Sequence, residues 1–533
     1  MKKILLGNEA IVQGALEAGV DFVSAYPGTP SSEIGNVFYK IAEKRGVYFE
    51  FSSNEKVALE AAIGASFSGL KCLVAMKNFG LNVASDALLP FVYTGAKGPT
   101  VIIVADDPSC WSSGQSEQNS RAFAYMAHIP ILEPSDAQEA KDFVKLGFKL
   151  SEKFKIPVIV RTTTRVAHQR MPVEVILNNK TQKSKKTGRF VKDVKRFVTM
   201  PPRVLEMKKE LLEKIEKIRE FAEKDKSSFI FSAGRKKKKK AEFGIIVSGI
   251  SYLYVREVLE NLNFPVSVLK LGFFYPLPQK KIKNFIKGLK KVLVVEELEP
   301  YLEKETERLA KQVNCDLKIH GKDLLSETGE LSSEKVASAL GVKSESGQNM
   351  VLGKRFPRLC PGCPYWSVFA AIKKAASKGT IFGGDIGCYM LAGFPPHNIQ
   401  DYLLCMGSSI GIAHGIKKST GQKLITLIGD STFFHAGIPA LINSVFNKSN
   451  PLIIVLDNGI TAMTGHQPNP GQEIKIENIA RACGVKNVKV IDPVDIKKLQ
   501  SAIREFLNKK EVSLIVARRM CAYLARKKKT KKK

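Results

Sequence analysis

An aspartate and an asparagine follow two apolar segments and could bind a metal ion. Gly429-Asp430-Ser431 ends the segment KLITLIGDS, and Asn458 ends the segment PLIIVLDN. Both segments are typical of buried parallel strands, so the two polar side chains should meet at the carboxyl edge of one sheet, where ligands bind. Carboxylate and amide oxygens suit Mg²⁺, which is often held together with phosphate groups. The motif therefore predicts a Mg²⁺–diphosphate site, although a Gly-Asp turn alone is common.

Two polar segments near the N-terminus could also do chemistry. Glu55 begins the helical segment EKVALEAAIGAS after a predicted strand. It could be an exposed acid stabilised by the helix dipole, or a carboxylate that hydrogen-bonds a cofactor ring. The segment YPGTPSSE at 26–33 offers the hydroxyls of Thr29, Ser31 and Ser32 at a helix N-terminus. These hydroxyls could cap the helix or bind an anion such as a 2-oxoacid carboxylate.

Four of the nine cysteines could hold a metal. An odd, scattered count in a long α/β chain argues against a disulfide framework. Cys360 and Cys363 form a CPGC turn, Cys388 follows a predicted strand-end turn in GGDIGCYML, and Cys521 lies near the end of the last strand. Four thiolates suit Zn²⁺ or an iron–sulfur cluster, although Cys388 and Cys521 could instead be packed thiols. The remaining cysteines are interpreted as structural: Cys72, Cys110, Cys315, Cys405 and Cys483. Two histidines near the Gly-Asp motif, His435 and His466, could contact substrate.

The composition limits the classes of partner. A net charge of +32 over 533 residues would attract phosphates. The excess lysine is diffuse, with runs at 235–240 and 526–533, and is not interleaved with aromatic residues as in a stacking platform. We therefore interpret it as solvated surface and expect no nucleic acid, while an acidic electron carrier stays open as a partner. The longest apolar runs have strand length, and the N-terminus lacks a signal-peptide pattern, so we expect a soluble cytoplasmic protein without membrane contact.

Alternating strand and helix signals predict an α/β fold with doubly wound parallel sheets. Three α/β domains are expected, at 1–178, 241–345 and 346–523. Residues 179–240 are predicted to form a linker with a charged amphipathic helix, and 524–533 a basic tail.

Several long blocks resemble the alpha subunit of indolepyruvate ferredoxin oxidoreductase, a 2-oxoacid:ferredoxin oxidoreductase. They include AYPGTPSSEI, FSSNEKVALEAAIGAS, CPGCP, GDSTFFHAGIPALINSVFNKS and TAMTGHQPNPG, in order from residue 1 to about 523. The resemblance implies thiamine diphosphate bound between a pyrimidine-binding domain at 1–178 and a diphosphate-binding domain at 346–523. It implies a transketolase C-terminal type domain at 241–345.

The resemblance also assigns roles to the cofactor-binding residues. Asp430 and Asn458 would ligate Mg²⁺ together with the backbone carbonyl of Ile460, and Gly429 and Ser431 would complete the diphosphate motif.

Glu55 would bind the aminopyrimidine ring and activate the cofactor, and Thr29 would lie by the substrate. The implied reaction is oxidative decarboxylation of an aryl pyruvate, with coenzyme A receiving the acyl group.

Two electrons must then leave singly, which requires iron–sulfur clusters. Cys360, Cys363, Cys388 and Cys521 match the order of the cysteines that hold a [4Fe-4S] cluster in related enzymes. A beta subunit in a hetero-oligomer and ferredoxin are the implied partners. Alpha subunits of this family usually continue into a ferredoxin-like domain, and this sequence contains no CxxCxxCxxxCP run. Either another subunit or the four-cysteine cluster should then pass electrons on, unless the chain is a fragment or a repurposed relative.

Two other classes stay open. A non-oxidative thiamine-dependent decarboxylase or acyloin synthase would need neither a cluster nor coenzyme A, and the CPGC turn with Cys388 argues against it. A non-catalytic binding protein with a basic surface would need neither Glu55 nor Asp430.

Overall fold

The computed structural model describes residues 1–176, 186–233, 241–342 and 357–531. The chain forms two compact units, Met1–Asn349 and Met350–Lys533. The predicted domain boundaries at 178, 240 and 345, the lysine run at 235–240 and the last two residues of the tail lie outside the described residues. Within the described ranges, no helix is long and apolar enough to cross a membrane.

The first unit alternates strands and helices, as the sequence predicts. Its strands are β1 Lys2–Leu6, β2 Phe22–Ala25, β3 Tyr48–Phe51, β4 Cys72–Lys77, β5 Thr100–Asp106, β6 Ile131–Leu132, β7 Val158–Thr163, β8 Arg170–Glu174, β9 Phe229–Ala233, β10 Phe243–Ser248, β11 Val266–Leu271, β12 Phe273–Tyr275, β13 Lys291–Val295 and β14 Lys318–His320. Its helices are α1 Gly7–Glu17, α2 Ser32–Ile41, α3 Glu55–Phe67, α4 Asn78–Thr94, α5 Ala122–Ala127, α6 Ala137–Phe154, α7 Thr164–His168, α8 Val194–Phe197, α9 Arg203–Lys224, α10 Ser251–Leu259, α11 Gln279–Ile286, α12 Tyr301–Val313 and α13 Ser333–Ala339.

The main sheet of this unit has the strand order β12-β6-β7-β5-β4-β2-β3. All of its pairs are parallel except β12 with β6. Strands β4 and β5 are almost wholly buried apolar runs, as expected for a sheet covered by helices on both faces. The carboxyl ends of the neighbouring strands β5, β4, β2 and β3 share one edge, so the loops that follow them lie together.

A second sheet has the order β14-β13-β10-β11-β9, parallel except for β9 with β11. The predicted charged helix is α9, and its apolar face is buried through Met207, Leu211, Ile215 and Ile218. Strand β12 lies beyond residue 241 but pairs with β6 of the first sheet. The two sheets therefore belong to one compact unit.

A buried ion-pair cluster joins these two sheets. Arg121 donates to both carboxylate oxygens of Glu133 at 2.6 Å and to Glu296 at 2.8 Å. The three side chains are 1–2% exposed. Because Glu296 follows β13 while Glu133 follows β6, the pairs lock the second sheet onto the first.

Arg121→Leu should lower the free energy of unfolding by about 3–5 kcal/mol, because the buried Glu296 would lose its salt bridge and Glu133 would keep only its pair with Arg161. Urea unfolding followed by circular dichroism measures the loss. Arg308→Leu is the control, since Arg308 pairs with Glu305 at 2.9 Å on a half-exposed surface and should cost about 0–1 kcal/mol. Equal losses of unfolding free energy in the two variants would show that the buried cluster stabilises the fold no more than a surface ion pair does.

The second unit is built around one parallel sheet of order β15-β16-β17-β19-β18. Its strands are β15 Ile381–Gly383, β16 Leu424–Gly429, β17 Leu452–Asp457, β18 Asn487–Ile491 and β19 Ser513–Arg518. Its helices are α14 Tyr365–Ala375, α15 Ser408–Ser419, α16 Asp430–Thr432, α17 Ile438–Phe446, α18 Ile476–Ala482, α19 Ile496–Phe506 and α20 Ala522–Lys531. The predicted α/β class with parallel sheets is confirmed.

Candidate active site

In the second unit, Asp430 and Asn458 lie at the carboxyl ends of the paired strands β16 and β17. The register pairs Gly429 with Leu456, and the amide of Gly459 donates to Asp430 Oδ2 at 2.9 Å. The structure thus brings together the two predicted ligands.

The Asp430 carboxylate is buried among neutral hydrogen-bond donors. It is 3% exposed and accepts from the amides of Ser431 and Gly459, both at 2.9 Å, and from Asn469 Nδ2 at 3.0 Å. Burial raises the pKa of Asp430 to about 7, against the opposing effect of these hydrogen bonds. A buried carboxylate with only neutral donors is an oxygen ligand suited to a cation.

Asn458 is fixed at both ends of its amide. Its Oδ1 accepts from the amide of Ile460 at 3.0 Å, and its Nδ2 donates to the hydroxyl of Tyr365 at 2.7 Å. Ser431 Oγ accepts from Thr461 Oγ1 at 2.9 Å, which ties the loop after β17 to the Gly-Asp turn. The Ile460 carbonyl stays a predicted ligand.

Gly429 has a packing role as well. A Cβ at this position would lie 2.7 Å from the Tyr389 ring, so only glycine lets the ring pack against the end of β16.

The cysteine-bearing turns pack directly on this motif. Tyr365, which bonds Asn458, comes two residues after Cys363, and Tyr389, which covers Gly429, follows Cys388. The amide of Cys521 donates to the Asn458 carbonyl at 3.4 Å. Three of the four predicted cluster cysteines are therefore within two residues of a contact to the Asp430–Asn458 motif.

The four cysteines also interact with each other electrostatically. Burial raises the pKa of the Cys388 thiol to about 12, and the charges of Cys363, Cys521 and Cys360 add to the rise. Burial likewise raises the pKa of Cys363 to about 11. All nine cysteines lie in the described part of the chain and are free thiols. In that same part, no three His, Cys, Asp or Glu side chains are arranged to hold a metal ion.

His466 and the C-terminal helix flank these cysteines. His466 Nε2 lies 3.8 Å from Cys521 Sγ, and its ring stacks on Tyr523 at 4.9 Å. Arg526 of α20 donates to the Pro361 carbonyl in the CPGC turn at 2.7 Å. The structure thus places His466 by a cysteine, while His435 is buried in a π-helical turn, Phe433–Gly437.

In the first unit, Glu55 is buried rather than exposed. It is 5% exposed and begins α3 after Asn54, whose side chain caps the helix by accepting from Val57 N at 2.9 Å. A Cβ on Gly80 would lie 2.8 Å from Glu55 Oε1. Gly80 therefore lets the first turn of α4 approach the Glu55 carboxylate. The sequence alone does not point to this role of Gly80.

The Thr29 loop is held from several sides. Asn8 Nδ2 donates to the Pro30 carbonyl at 2.7 Å, and Ser112 Oγ donates to the Thr29 carbonyl at 3.3 Å. Ser31 Oγ donates back to the Gly28 carbonyl at 2.7 Å and does not cap α2. The hydroxyl of Ser32 is buried without a hydrogen-bond partner among the described residues.

Comparison with known proteins finds a thiamine diphosphate-binding domain in each unit. Residues 13–227 match the model of the pyruvate flavodoxin/ferredoxin oxidoreductase thiamine diphosphate-binding domain, and 385–517 match the thiamine pyrophosphate enzyme C-terminal TPP-binding domain. Indolepyruvate oxidoreductase subunit IorA of Pyrococcus horikoshii is 45% identical over 98% of this chain and 86% of its own length. The subunit of the same name from Methanothermobacter thermautotrophicus is 43% identical over 98% and 87%.

The chain belongs to the indolepyruvate oxidoreductase IorA family. It is therefore a subunit of a thiamine-diphosphate-dependent oxidoreductase and works with at least one partner subunit. The 2-oxoglutarate:ferredoxin oxidoreductase of Magnetococcus marinus, a solved structure, shares the IorA fold with a TM-score of 0.50 at 19% identity, over 64% of this chain and 65% of its own.

Proposed function

We propose that this chain catalyses the oxidative decarboxylation of aryl pyruvates, indolepyruvate among them, to acyl-CoA and passes the electrons towards ferredoxin. The observation that carries the proposal is the packing of the cysteine-bearing turns on the Asp430–Asn458 motif through Tyr365, Tyr389 and Cys521. A non-oxidative decarboxylase would have no use for thiols beside its cofactor site.

The residues of the second unit fit a magnesium-bound diphosphate. Asp430 and Asn458 supply hard oxygen donors, the buried carboxylate lacks a cationic donor among its hydrogen-bond partners, and the Ile460 carbonyl would complete the protein ligands. Gly429 and Ser431 would adjoin the diphosphate. Thiamine diphosphate, when bound, supplies a carbon nucleophile and an electron sink for loss of CO₂.

In the first unit, the proposed reaction uses Glu55 and Thr29. Glu55 is a buried carboxylate that would hold a proton at a ring nitrogen of the cofactor, since a carboxylate is a good general acid and base at a fixed distance. Thr29 would lie by the 2-oxoacid, on the loop fixed by Asn8 and Ser112.

Cys360, Cys363, Cys388 and Cys521 would hold a [4Fe-4S] cluster. Besides burial, the charges of Cys363, Cys521 and Cys360 contribute to the raised pKa of Cys388, which supports the proximity of the four thiols. Four thiolates suit either Zn²⁺ or an iron–sulfur cluster, and the single-electron steps of the proposed reaction require the cluster.

A beta subunit, ferredoxin and coenzyme A complete the proposed reaction in a cytoplasmic hetero-oligomer. The chain, purified without oxygen together with its beta subunit, should reduce a one-electron dye when given an aryl pyruvate and coenzyme A. Cys388→Ser should abolish dye reduction and lower both bound iron and thiolate-to-iron absorption, because one cluster ligand is lost. Bound thiamine diphosphate should not change.

Cys483→Ser is the control, because Cys483 is a half-buried thiol in the same unit and outside the proposed cluster; it should keep full iron and activity. Zinc without iron at the four cysteines would overturn the cluster. Release of an aryl acetaldehyde without any electron acceptor would instead support the non-oxidative alternative.

A further inference from the structure

Lys77 lies where a substrate anion would be expected. It ends β4 and immediately precedes α4, on the sheet edge that also carries the Thr29 loop after β2 and Glu55 after β3. Its Nζ donates to Ser113 Oγ at 3.0 Å and to the Ser112 carbonyl at 3.4 Å. These acceptors are neutral, so the lysine charge has no ion-pair partner among its hydrogen bonds.

Lys77 is joined to the Thr29 loop by packing and by hydrogen bonds. A Cβ on Gly28 would lie 2.9 Å from both Cγ and Cδ of Lys77, so the lysine stem packs against the loop where only glycine fits. Ser112, whose carbonyl accepts from Lys77, donates its own hydroxyl to the Thr29 carbonyl. Ser112 therefore links the ammonium group of Lys77 to Thr29, the residue predicted to lie by the substrate.

The start of α4 adds a second donor next to Lys77. Asn78 is fully buried, and its Nδ2 has no hydrogen-bond partner within the described residues, while its Oδ1 accepts from Phe79 N at 3.0 Å. Two residues on, Gly80 contacts the Glu55 carboxylate. The N-terminus of this 17-residue helix favours an anion, and a buried donor without a partner is costly unless a ligand satisfies it.

Lys77 is a partly buried cation, and the charged groups that affect its pKa are negative. Burial lowers the pKa of Lys77 to about 8, against the charges of Asp107, Glu55 and Cys110, which raise it. The group is thus still mainly protonated at neutral pH, but it is poorly solvated, so an ion pair with a carboxylate would be strengthened by the low local dielectric.

We propose that Lys77, with Asn78 and the N-terminal turn of α4, binds the carboxylate of the 2-oxoacid substrate. This assignment rests on the proposed function, which requires such an acid beside Glu55. The hydrogen bonds would be charge-assisted, the stronger class of protein hydrogen bond.

Lys77→Met tests the assignment in the holoenzyme. Loss of charge-assisted hydrogen bonds should raise KM for the aryl pyruvate by about 10- to 150-fold, with a smaller change in kcat and unchanged bound thiamine diphosphate. Lys77→Arg retains the charge and should recover most of the affinity. Lys281→Met is the structural control: Lys281 donates to the carbonyls of Ser228 and Asp225 at 2.6 and 3.1 Å, so KM should stay at the wild-type value.

Equilibrium binding gives a second readout that a purely structural role would not change. The wild-type enzyme should bind an aryl acetate more tightly than the matching aryl acetamide, and Lys77→Met should lose that preference. An unchanged KM, or equal weakening for acid and amide, would overturn the assignment. If the wild-type enzyme oxidises no 2-oxoacid, the proposed function fails; if it does and Lys77→Met behaves like wild type, only the role of Lys77 fails.

Discussion

Glu55→Gln should lower kcat by about 10²–10⁴-fold, the range expected when a positioned proton-transfer group is lost. Glutamine keeps the volume and the hydrogen-bonding shape of the buried side chain but cannot hold or release the proton. Because Glu55 lies in the first unit and Asp430 in the second, the variant should retain its magnesium and diphosphate ligands. Steady-state turnover and the thiamine diphosphate content of the purified enzyme measure the two effects separately.

Glu60→Gln on the same helix is the matched control. Glu60 is exposed and lies 3.7 Å from Lys56, so its loss should leave turnover at the wild-type level and change stability by less than about 1 kcal/mol. Full turnover in Glu55→Gln would rule out a proton-transfer role. Loss of the cofactor together with turnover would instead show that Glu55 mainly supports binding.

The local elements of the fold could be predicted because their signals are local. Buried strands such as β5 and β17 are continuous apolar runs, and the alternation of such runs with helical segments indicates parallel sheets. The pairing of β12 with β6 could not be predicted, because a three-residue strand has no periodicity of its own. The Arg121–Glu133–Glu296 cluster also depends on residues up to 175 positions apart, which no single-sequence pattern relates.

The candidate site likewise contains residues that could be predicted from the sequence and residues that could not. Asp430 and Asn458 could be found because both follow strand patterns, and their neighbourhood follows from sheet geometry. Asn469 lies in an irregular loop, and nothing in its sequence context aims its amide at Asp430. Gly80 is one glycine among many, and only the packing of α4 against Glu55 shows why a side chain would not fit. Contacts made by loop residues, and contacts that are possible only because a glycine has no side chain, can be identified only in the folded structure.

Asp430→Asn should remove most of the stabilisation that magnesium and thiamine diphosphate give to the protein. Loss of a metal ligand should weaken metal affinity by more than the roughly 10- to 100-fold that follows loss of a residue hydrogen-bonded to a ligand. With the cofactor at about 100 times its wild-type Kd, binding stabilises the fold by about 2.7 kcal/mol, and a 100-fold weaker variant would keep only about 0.4 kcal/mol. Thermal unfolding with and without Mg²⁺ and cofactor measures this difference directly.

The cofactor-free stability of Asp430→Asn should change much less, within about 1 kcal/mol. The asparagine loses one hydrogen bond from the Ser431, Gly459 and Asn469 donors, and this loss is offset because no charge remains buried. Asp457→Asn gives the opposite pattern: Asp457 pairs with Arg518 at 2.7 Å, so its loss should destabilise the cofactor-free protein and keep the cofactor-dependent gain. If Asp430→Asn were stabilised by Mg²⁺ and thiamine diphosphate as strongly as wild type, Asp430 would not be the magnesium ligand. The metal site would then have to be sought elsewhere on the carboxyl edge of the sheet.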